Sequence, residues 1–357
     1  MAPLDNFRPG AMATLIGSLP HRDHETAQDL VLKYMEDCPI WVQLPKYPKE
    51  RLLTQFVEGF PGLVEDEEGG SVYFDTNSPT FEQDFLAFFE EYLAVKEGAK
   101  AIEDSIFAIS KERAPGLFIF LKKVEGLNPP PYALKGQITG PFTLLTGLKE
   151  KDGRLTYYNP QLKEAIVQGV GLRAAFQAKK LREKADRAIV FLDEPALAGF
   201  GSSTMVGMKR EEVQKDLKSV IDEVHQTDAL CGIHVCANTE WSLLLDPVLG
   251  LDIISFDAFG YLDRFLIFKD EILGFLERGG VIAWGLVPTQ REDDIVDASV
   301  EDLANRFFDA QKALGLTREE IVRSSLITPS CGTGLLSEEL AERVLDLTKG
   351  LSEHIRM

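Results

Sequence analysis

The chain has 357 residues, of which 45% are hydrophobic, an ordinary share for a globular protein with a large buried core. Its 38 basic residues against 57 acidic ones give a formal net charge of -19, which would repel nucleic-acid phosphates and anionic lipid surfaces. We therefore expect a small-molecule substrate, with no nucleic-acid and no membrane partner. The N-terminus lacks a signal-peptide pattern and no apolar run would span a bilayer, so a cytoplasmic location is expected.

Short apolar or β-branched runs bounded by turn residues recur along the chain and predict strands, and longer segments with helical periodicity separate them. The eight predicted strands cover 13–18, 40–44, 133–139, 188–193, 231–236, 252–257, 281–286 and 326–329. The predicted helices cover 24–37, 81–95, 161–185, 210–226, 264–278, 300–314 and 337–347. Ser337 is a candidate N-cap for the last helix, and Gly279-Gly280 ends the helix before the seventh strand.

Eight alternating strand and helix units favour an α/β fold of the closed (β/α)8 TIM-barrel type, although a doubly wound open sheet would show a similar alternation. The long stretch 59–76 contains the turn-rich Asp66-Glu67-Glu68-Gly69-Gly70 followed by a strand-like run. It predicts a hairpin insertion after the second strand, where excursions commonly line an active site or a subunit contact. Because no linker stands out, we expect residues 1–357 to form a single barrel domain.

The four cysteines are too few and too scattered for a secreted disulfide framework in a chain of this length. Cys38 and Cys231 are expected to be buried, small apolar residues. Cys231 lies five residues before Cys236, so on one strand the two side chains point to opposite faces.

A histidine and a cysteine at positions 234 and 236 have the spacing that places two side chains on one face of a strand. Imidazole and thiolate are zinc ligands, and Cys331 follows another predicted strand. In a barrel the carboxyl ends of the strands meet at one rim, so these three residues are expected to converge there. Ligands drawn from distant strands favour a catalytic Zn2+ site over a sealed structural one. The alternative is a core histidine beside core cysteines.

Other polar groups fall at the same expected rim. Asp257 ends the sixth strand and is either a further metal ligand or a salt-bridging or helix-capping carboxylate. Asp193 ends the fourth strand and suits a substrate ammonium group, the alternative being a salt bridge inside the barrel. Ile16-Gly17-Ser18 ends the first strand and offers backbone N–H groups and a hydroxyl to a carboxylate.

Together these motifs resemble the catalytic domain of cobalamin-independent methionine synthase, within a superfamily of (β/α)8 barrels that includes uroporphyrinogen decarboxylase. The motifs are, in chain order, Ile16-Gly17-Ser18-Leu19-Pro20, Gly136-Gln137-Ile138-Thr139-Gly140-Pro141, Leu192-Asp193-Glu194-Pro195-Ala196-Leu197, His234-Val235-Cys236, Ile254-Ser255-Phe256-Asp257 and Pro329-Ser330-Cys331-Gly332. The resemblance spans nearly the whole chain and implies zinc-activated transfer of a methyl group to a thiol, homocysteine in that family.

The resemblance also implies roles for single residues. His234, Cys236 and Cys331 would hold zinc, with Asp257 in the place of the family's glutamate and one methylene shorter. Ile16, Gly17 and Ser18 would bind the homocysteine carboxylate, and Asp193 its amino group. The family's second amino-group ligand, a glutamate after the second strand, has no counterpart in Val42-Gln43-Leu44-Pro45.

Two departures concern the methyl donor. Folate-using family members carry an additional N-terminal barrel and a histidine after the seventh strand, whereas no histidine occurs here between His234 and His354. We therefore expect a donor other than methyltetrahydrofolate. Some single-barrel relatives take the methyl group from a methylated corrinoid protein, which makes such a protein a candidate partner.

Two other interpretations stay open. One is a metal-free catalyst similar to uroporphyrinogen decarboxylase, for which Arg22 and Asp23 after the first strand are the available groups. The other is a barrel that binds zinc or a thiol, for sensing, storage or docking, without turnover.

Overall fold

A computed structural model describes residues 7–66, 72–202 and 205–357. Its strands are β1 (Met12–Ala13), β2 (Leu63–Glu65), β3 (Val72–Phe74), β4 (Leu134–Thr139), β5 (Ala188–Asp193), β6 (Leu230–Val235), β7 (Ile253–Phe256), β8 (Val281–Val287) and β9 (Ser325–Pro329). Seven of them form one parallel sheet in the order β1-β9-β8-β7-β6-β5-β4. The sheet is that of a TIM-like barrel, as the alternation predicted.

Helices follow the strands and cover the outside of the sheet. They are α1 (His24–Tyr34), α2 (Phe81–Lys96), α3 (Pro115–Val124), α4 (Pro141–Gly147), α5 (Pro160–Arg182), α6 (Arg210–His225), α7 (Trp241–Leu244), α8 (Ala258–Phe265), α9 (Lys269–Glu277), α10 (Glu292–Asp297), α11 (Val300–Leu314), α12 (Arg318–Arg323) and α13 (Glu338–Arg356). Within the described ranges no helix is both long and apolar enough to cross a bilayer.

The predicted second strand, 40–44, is not a regular strand. The segment lies between β1 and β4 and joins them through two isolated parallel bridges, Ser18 to Gln43 and Ile40 to Lys135. Side chains take the backbone groups that a ladder would use: Gln28 bonds both Ile40 O and Val42 N, at 2.8 and 3.2 Å. The predicted barrel is therefore a seven-stranded sheet, and this irregular segment fills the gap between its two edge strands, β1 and β4.

The predicted first strand, 13–18, is also shorter than expected, since regular pairing ends at Ala13. The buried Lys135 side chain donates to Ile16 O at 3.1 Å and takes one of the carbonyls that strand pairing would use. After Ala13 the chain leaves the ladder and forms an irregular loop at the rim, where backbone groups are open to other partners.

The predicted hairpin region contains an antiparallel pair, β2 with β3, in which Leu63 is opposite Phe74 and Glu65 is opposite Val72. The predicted turn between these arms falls on residues 67–71, which lie outside the described residues. The pairing of the two arms is observed, and the insertion as a whole stays a prediction.

The helix starts follow the sequence signals better than the helix ends: the helix predicted over 337–347 continues to Arg356, and the one predicted over 24–37 ends at Tyr34. Ser337 caps α13 by accepting from Leu340 N, as predicted. The single helix predicted over 264–278 is wrong in its first part: α8 begins earlier, at Ala258, and ends at Phe265, and a short 3-10 turn, Leu266–Phe268, separates it from α9. Phe268 takes the non-helical angles φ -91 and ψ 36, and Gly279 at φ +90 ends the second piece.

Strand alternation divides the apolar core into two layers. Outward residues such as Ile233 and Val235 pack under the helices, whereas inward residues near the strand starts, such as Ile189, Leu230 and Val281, fill the base of the barrel. Cys231 and Cys38 are buried, as expected. The base is mainly apolar, although the buried Lys135 lies opposite Ile189 at this level, and polar inward residues such as Asp193 and His234 lie at the carboxyl ends of the strands.

Candidate metal centre

Three of the predicted metal ligands converge at the carboxyl ends of the strands. His234 lies near the end of β6, Cys236 directly follows it, and Cys331 follows β9. The ligating atoms of these three residues all lie within 4.8 Å of one another. His234 is buried and the two cysteines are half-buried. The parallel sheet thus brings together residues that are almost a hundred positions apart in sequence.

The His234 imidazole is held in a defined orientation. Ser255 is its strand neighbour in β7, and the Ser255 Oγ lies 3.0 Å from His234 Nδ1. The other ring nitrogen, Nε2, is buried and has no hydrogen-bond partner among the described residues. A buried nitrogen without a partner is costly unless something binds it. A metal ligated through Nε2, with Nδ1–H donating to Ser255, would account for this arrangement.

The two thiols form a coupled pair. A hydrogen bond from Cys331 lowers the pKa of Cys236 well below its usual range, and a contact with His234 adds to the effect. The same hydrogen bond to Cys236, together with burial, raises the pKa of Cys331. The contact between the two sulfurs thus favours the thiolate form of Cys236, and thiolate is the form that binds zinc. Imidazole, thiolate and a second thiol within reach of one point fit a zinc ion.

Asp257 is near this cluster but is not one of the three converging ligands. It is the N-cap of α8, where its Oδ1 accepts from Gly260 N at 2.7 Å. Its Oδ2 accepts from Gln290 Nε2 at 3.2 Å. Burial raises the pKa of the carboxyl, while the Gly260 N–H and His234 lower it. The capping alternative is thus observed, and coordination by Asp257 stays a prediction.

Asp193 ends β5 with its carboxyl directed into the barrel. Its Oδ1 is buried and has no hydrogen-bond partner in the described part of the chain. Burial raises the pKa of Asp193 to about 6, although His234 and Lys135 oppose the shift. The Asp193 Oδ1 therefore lacks a hydrogen-bond donor in the charged form, and an ammonium group would supply one.

Lys135 was not predicted from the sequence as a site residue. It is fully buried inside the barrel, where its ammonium lies 4.2 Å from the Phe191 ring centroid and bonds Ile16 O. Burial lowers its pKa to about 8, and Asp193 opposes the shift. Lys135 thus fixes one end of the Ile16-Gly17-Ser18 loop and contributes positive charge beneath it.

Glu194, adjacent to Asp193, has a structural role. Its carboxylate accepts from Phe142 N at 2.9 Å and from Thr143 N at 2.7 Å, and so caps the first turn of α4. Burial raises the pKa of Glu194 to about 7, and the hydrogen bonds from Thr143 and Phe142 oppose that shift. The motif that begins with Asp193 therefore directs one carboxylate into the barrel and uses the next to hold a neighbouring loop.

The first loop is fastened to the loop that carries Cys331. Thr333 N donates to Ser18 O at 2.8 Å, and Gly334 N donates to Ser18 Oγ at 3.3 Å. A β-carbon at Gly332 would lie 2.1 Å from Ser18 Oγ, so a side chain there would displace the Ser18 hydroxyl. Ser18, predicted to bind a substrate carboxylate, therefore also accepts hydrogen bonds that hold the loop carrying Cys331 in place.

No protein-family model matches the chain, and no curated protein matches it in sequence. Among solved structures, the chain is similar to a B12-independent methionine synthase from Shewanella sp. W3-18-1 in complex with selenomethionine. The TM-score is 0.53, and the alignment covers 97% of this chain and 98% of that chain. The two sequences are 16% identical, so the likeness shows a common fold. The resemblance predicted from the motifs is thereby confirmed at the level of the fold.

Proposed function

We propose that this protein is a zinc-dependent methyltransferase that moves a methyl group to a small thiol, with homocysteine as the substrate and methionine as the product. The proposal is based mainly on the cluster of His234, Cys236 and Cys331. Its ligating atoms, from an imidazole with a buried Nε2 and from two interacting thiols, lie within 4.8 Å of one another at the barrel rim. Its support is the fold common to this chain and the methionine synthase.

The residues around the cluster suit an amino acid that carries the thiol. The Asp193 carboxylate, with its Oδ1 unbonded within the described ranges, would bind the ammonium group. The backbone N–H groups of the Ile16-Gly17-Ser18 loop would bind the carboxylate, and the buried Lys135 ammonium favours negative charge there. Together they would hold the substrate with its sulfur at the metal ligands.

His234, Cys236 and Cys331 would hold the metal, and Asp257 stays a candidate fourth ligand. Zinc bound there would lower the pKa of a substrate thiol, so that a thiolate is available at neutral pH. The reaction forms a bond between the substrate sulfur and the methyl carbon and breaks the bond between that carbon and the donor. The thiol proton leaves to solvent.

The methyl donor we propose is not methyltetrahydrofolate. After β8 the chain presents Thr289 and Gln290, whose side chains bond Ser330 and Asp257 respectively, and neither is a general acid for a folate leaving group. A methylated corrinoid remains a candidate donor, although the similar structure named above is described as B12-independent and lends it no support.

The test is a methyl-transfer assay on protein expressed with zinc. Metal content is measured first, and homocysteine is then offered with methylcobalamin or methyltetrahydrofolate while methionine is quantified by mass spectrometry. We expect methionine with methylcobalamin, none with the folate, and none from His234→Ala. Zinc-loaded protein that binds homocysteine but forms no methionine from either donor would contradict the proposal and favour a thiol-binding barrel.

The uroporphyrinogen decarboxylase-like alternative finds little support in the structure. Asp23, its candidate catalytic aspartate, is exposed and caps α1 by accepting from Thr26 N at 2.8 Å. Arg22 is likewise exposed at the surface. Turnover of a porphyrinogen by the metal-free protein would favour the decarboxylase-like function over zinc-dependent methyl transfer.

A further inference from the structure

Gln137 lies on β4 in a wholly buried position, and its carboxamide has a fixed orientation. Its Nε2 donates to Trp41 O at 2.9 Å. A carbonyl oxygen only accepts, so the amide nitrogen must face Trp41 and the amide oxygen must face away. That oxygen, Oε1, is buried without a hydrogen-bond partner in residues 7–66, 72–202 and 205–357. A rigidly held acceptor inside the barrel is therefore left unsatisfied.

The carboxamide lies against the loop proposed to bind the substrate carboxylate. A β-carbon at Gly17 would lie 3.1 Å from Gln137 Cδ and 2.3 Å from Gln43 Oε1, so the absence of a side chain at Gly17 lets the two amides approach the loop. Gln137 is thus beside the first loop and not in a remote part of the core.

Gln137 also neighbours Asp193. In the ladder of β4 with β5, Thr139 is opposite Asp193 and Gln137 is opposite Phe191, and residues two apart on a strand point to one face. Both Gln137 and Asp193 therefore point into the barrel, with their Cα atoms about 8 Å apart from the strand spacing and rise. Two unsatisfied acceptors, Gln137 Oε1 and Asp193 Oδ1, thus belong to inward side chains of adjacent strands.

An ammonium group matches this pair because it has three N–H donors and can bond several acceptors at once. The charges agree as well: Lys135 and Asp193 already place one cation and one anion inside the barrel. A neutral amide adds an acceptor for the ammonium group without a further charge beside Asp193.

We propose that Gln137 is a specificity-determining residue whose Oε1 accepts from the ammonium group of the substrate, together with Asp193, and so selects amino acid thiols. The inference rests on the proposed function, since it assumes a thiol substrate at the cluster.

The test compares three thiols by isothermal titration calorimetry with the zinc-loaded full chain: homocysteine, 4-mercaptobutyrate without the ammonium group, and 3-aminopropane-1-thiol without the carboxylate. Gln137→Leu should weaken homocysteine and 3-aminopropane-1-thiol about 10- to 100-fold, the usual effect of a hydrogen bond to a charged group. The affinity for 4-mercaptobutyrate should change less than about 2-fold, because that ligand has no group for Oε1 to bind.

The matched control is Gln177→Leu. Gln177 is equally buried and bonds the same tryptophan, through Trp41 Nε1 at 3.0 Å, but it lies on α5 outside the barrel. This variant should leave the order of the three affinities unchanged. Gln137→Met is a second variant of similar length for use if the leucine variant does not fold or load zinc.

Two results would overturn the inference in different ways. If wild type binds homocysteine but Gln137→Leu and Gln137→Met weaken homocysteine and 4-mercaptobutyrate by the same factor, Gln137 only shapes the cavity or holds water, and the proposed function survives. If zinc-loaded wild type binds none of the three thiols, the proposed function fails and the inference fails with it.

Discussion

The base and the rim of the barrel are built from the same strands and differ sharply in chemistry. On β5 the inward side chain changes from Ile189 at the base to Asp193 at the rim, and on β6 from Leu230 to His234. The base residues are wholly or nearly buried and form an apolar cluster, with the Lys135 ammonium over the Phe191 ring. At the rim, Asp193 Oδ1 and His234 Nε2 are buried without hydrogen bonds to any described residue.

This difference separates stability from function. Burial of apolar side chains at the base stabilises the fold, whereas an unsatisfied buried polar atom at the rim costs stability until a ligand binds. Sites that trade stability for binding are expected where the chemistry takes place. Substitutions at the two levels should therefore act on different properties of the protein.

The largest expected effect is on metal content at the rim. Cys331→Ala removes one of three converging ligands, so purified protein should fall from about one zinc per chain to nearly none. Plasma emission spectrometry measures the metal. Cys231→Ala is the matched control, because that thiol is buried on the opposite face of β6 and should leave the zinc content unchanged. If Cys331→Ala retained its full zinc content, the rim cysteine would not be a metal ligand, and the proposed division between a metal-binding rim and a stabilising base would be wrong.

The next effect is on stability at the base. Ile189→Ala should lower the free energy of unfolding by about 2 to 5 kcal/mol through the cavity it leaves, without loss of zinc from the folded protein. Urea denaturation followed by circular dichroism measures it. On the same strand, Asp193→Asn should be neutral or stabilising in the metal-free protein, because it removes a buried charge whose Oδ1 has no hydrogen bond to any described residue. Destabilisation of equal size by both changes would refute the separation.

A smaller effect is expected where a rim residue supports another. Ser255→Ala removes the hydroxyl that orients His234 and should weaken zinc binding about 10- to 100-fold without abolishing it. Competition with a chromophoric chelator gives the affinity. Ser255→Thr keeps a hydroxyl and should retain most of the affinity, whereas equal losses in the two variants would show that packing, not the hydrogen bond, matters.

The smallest effect is a pH dependence of stability from Glu194. Burial raises its pKa from 4.5 to about 7, so the folded protein binds more protons than the unfolded chain between these values. This contribution to stability is complete below pH 4.5 and is lost as the pH rises through 7, with a slope below about 1.4 kcal/mol per pH unit. Glu194→Gln should make the urea midpoint less dependent on pH across this window. An unchanged pH dependence in the variant would show that Glu194 is not the group responsible.

The sequence predicted those parts of the fold and the site that depend on local pattern. The strand over 188–193 and the helix over 300–314 have the predicted bounds, since alternation and helical periodicity are local properties. The convergence of His234, Cys236 and Cys331 followed from placing each residue at a strand end, because parallel strands share one carboxyl edge.

Features that depend on distant side chains could not be read from the sequence. The segment 40–44 has a strand-like composition, yet Gln28 and Glu50 bond its backbone groups and prevent regular pairing. The sequence did contain one indication of Gln137 and Ser255. Gln137 lies two residues before Thr139, and Ser255 lies two residues before Asp257, so each shares a strand face with a polar residue at the strand end. Which of their atoms lack partners is a property of the folded barrel alone.

The most direct test of the central claim is zinc-edge X-ray absorption on the loaded protein with and without homocysteine. We expect a zinc shell of sulfur and nitrogen ligands from His234, Cys236 and Cys331, to which homocysteine adds one sulfur. An unchanged shell at a homocysteine concentration that saturates the protein would contradict thiol activation and leave a structural metal in its place.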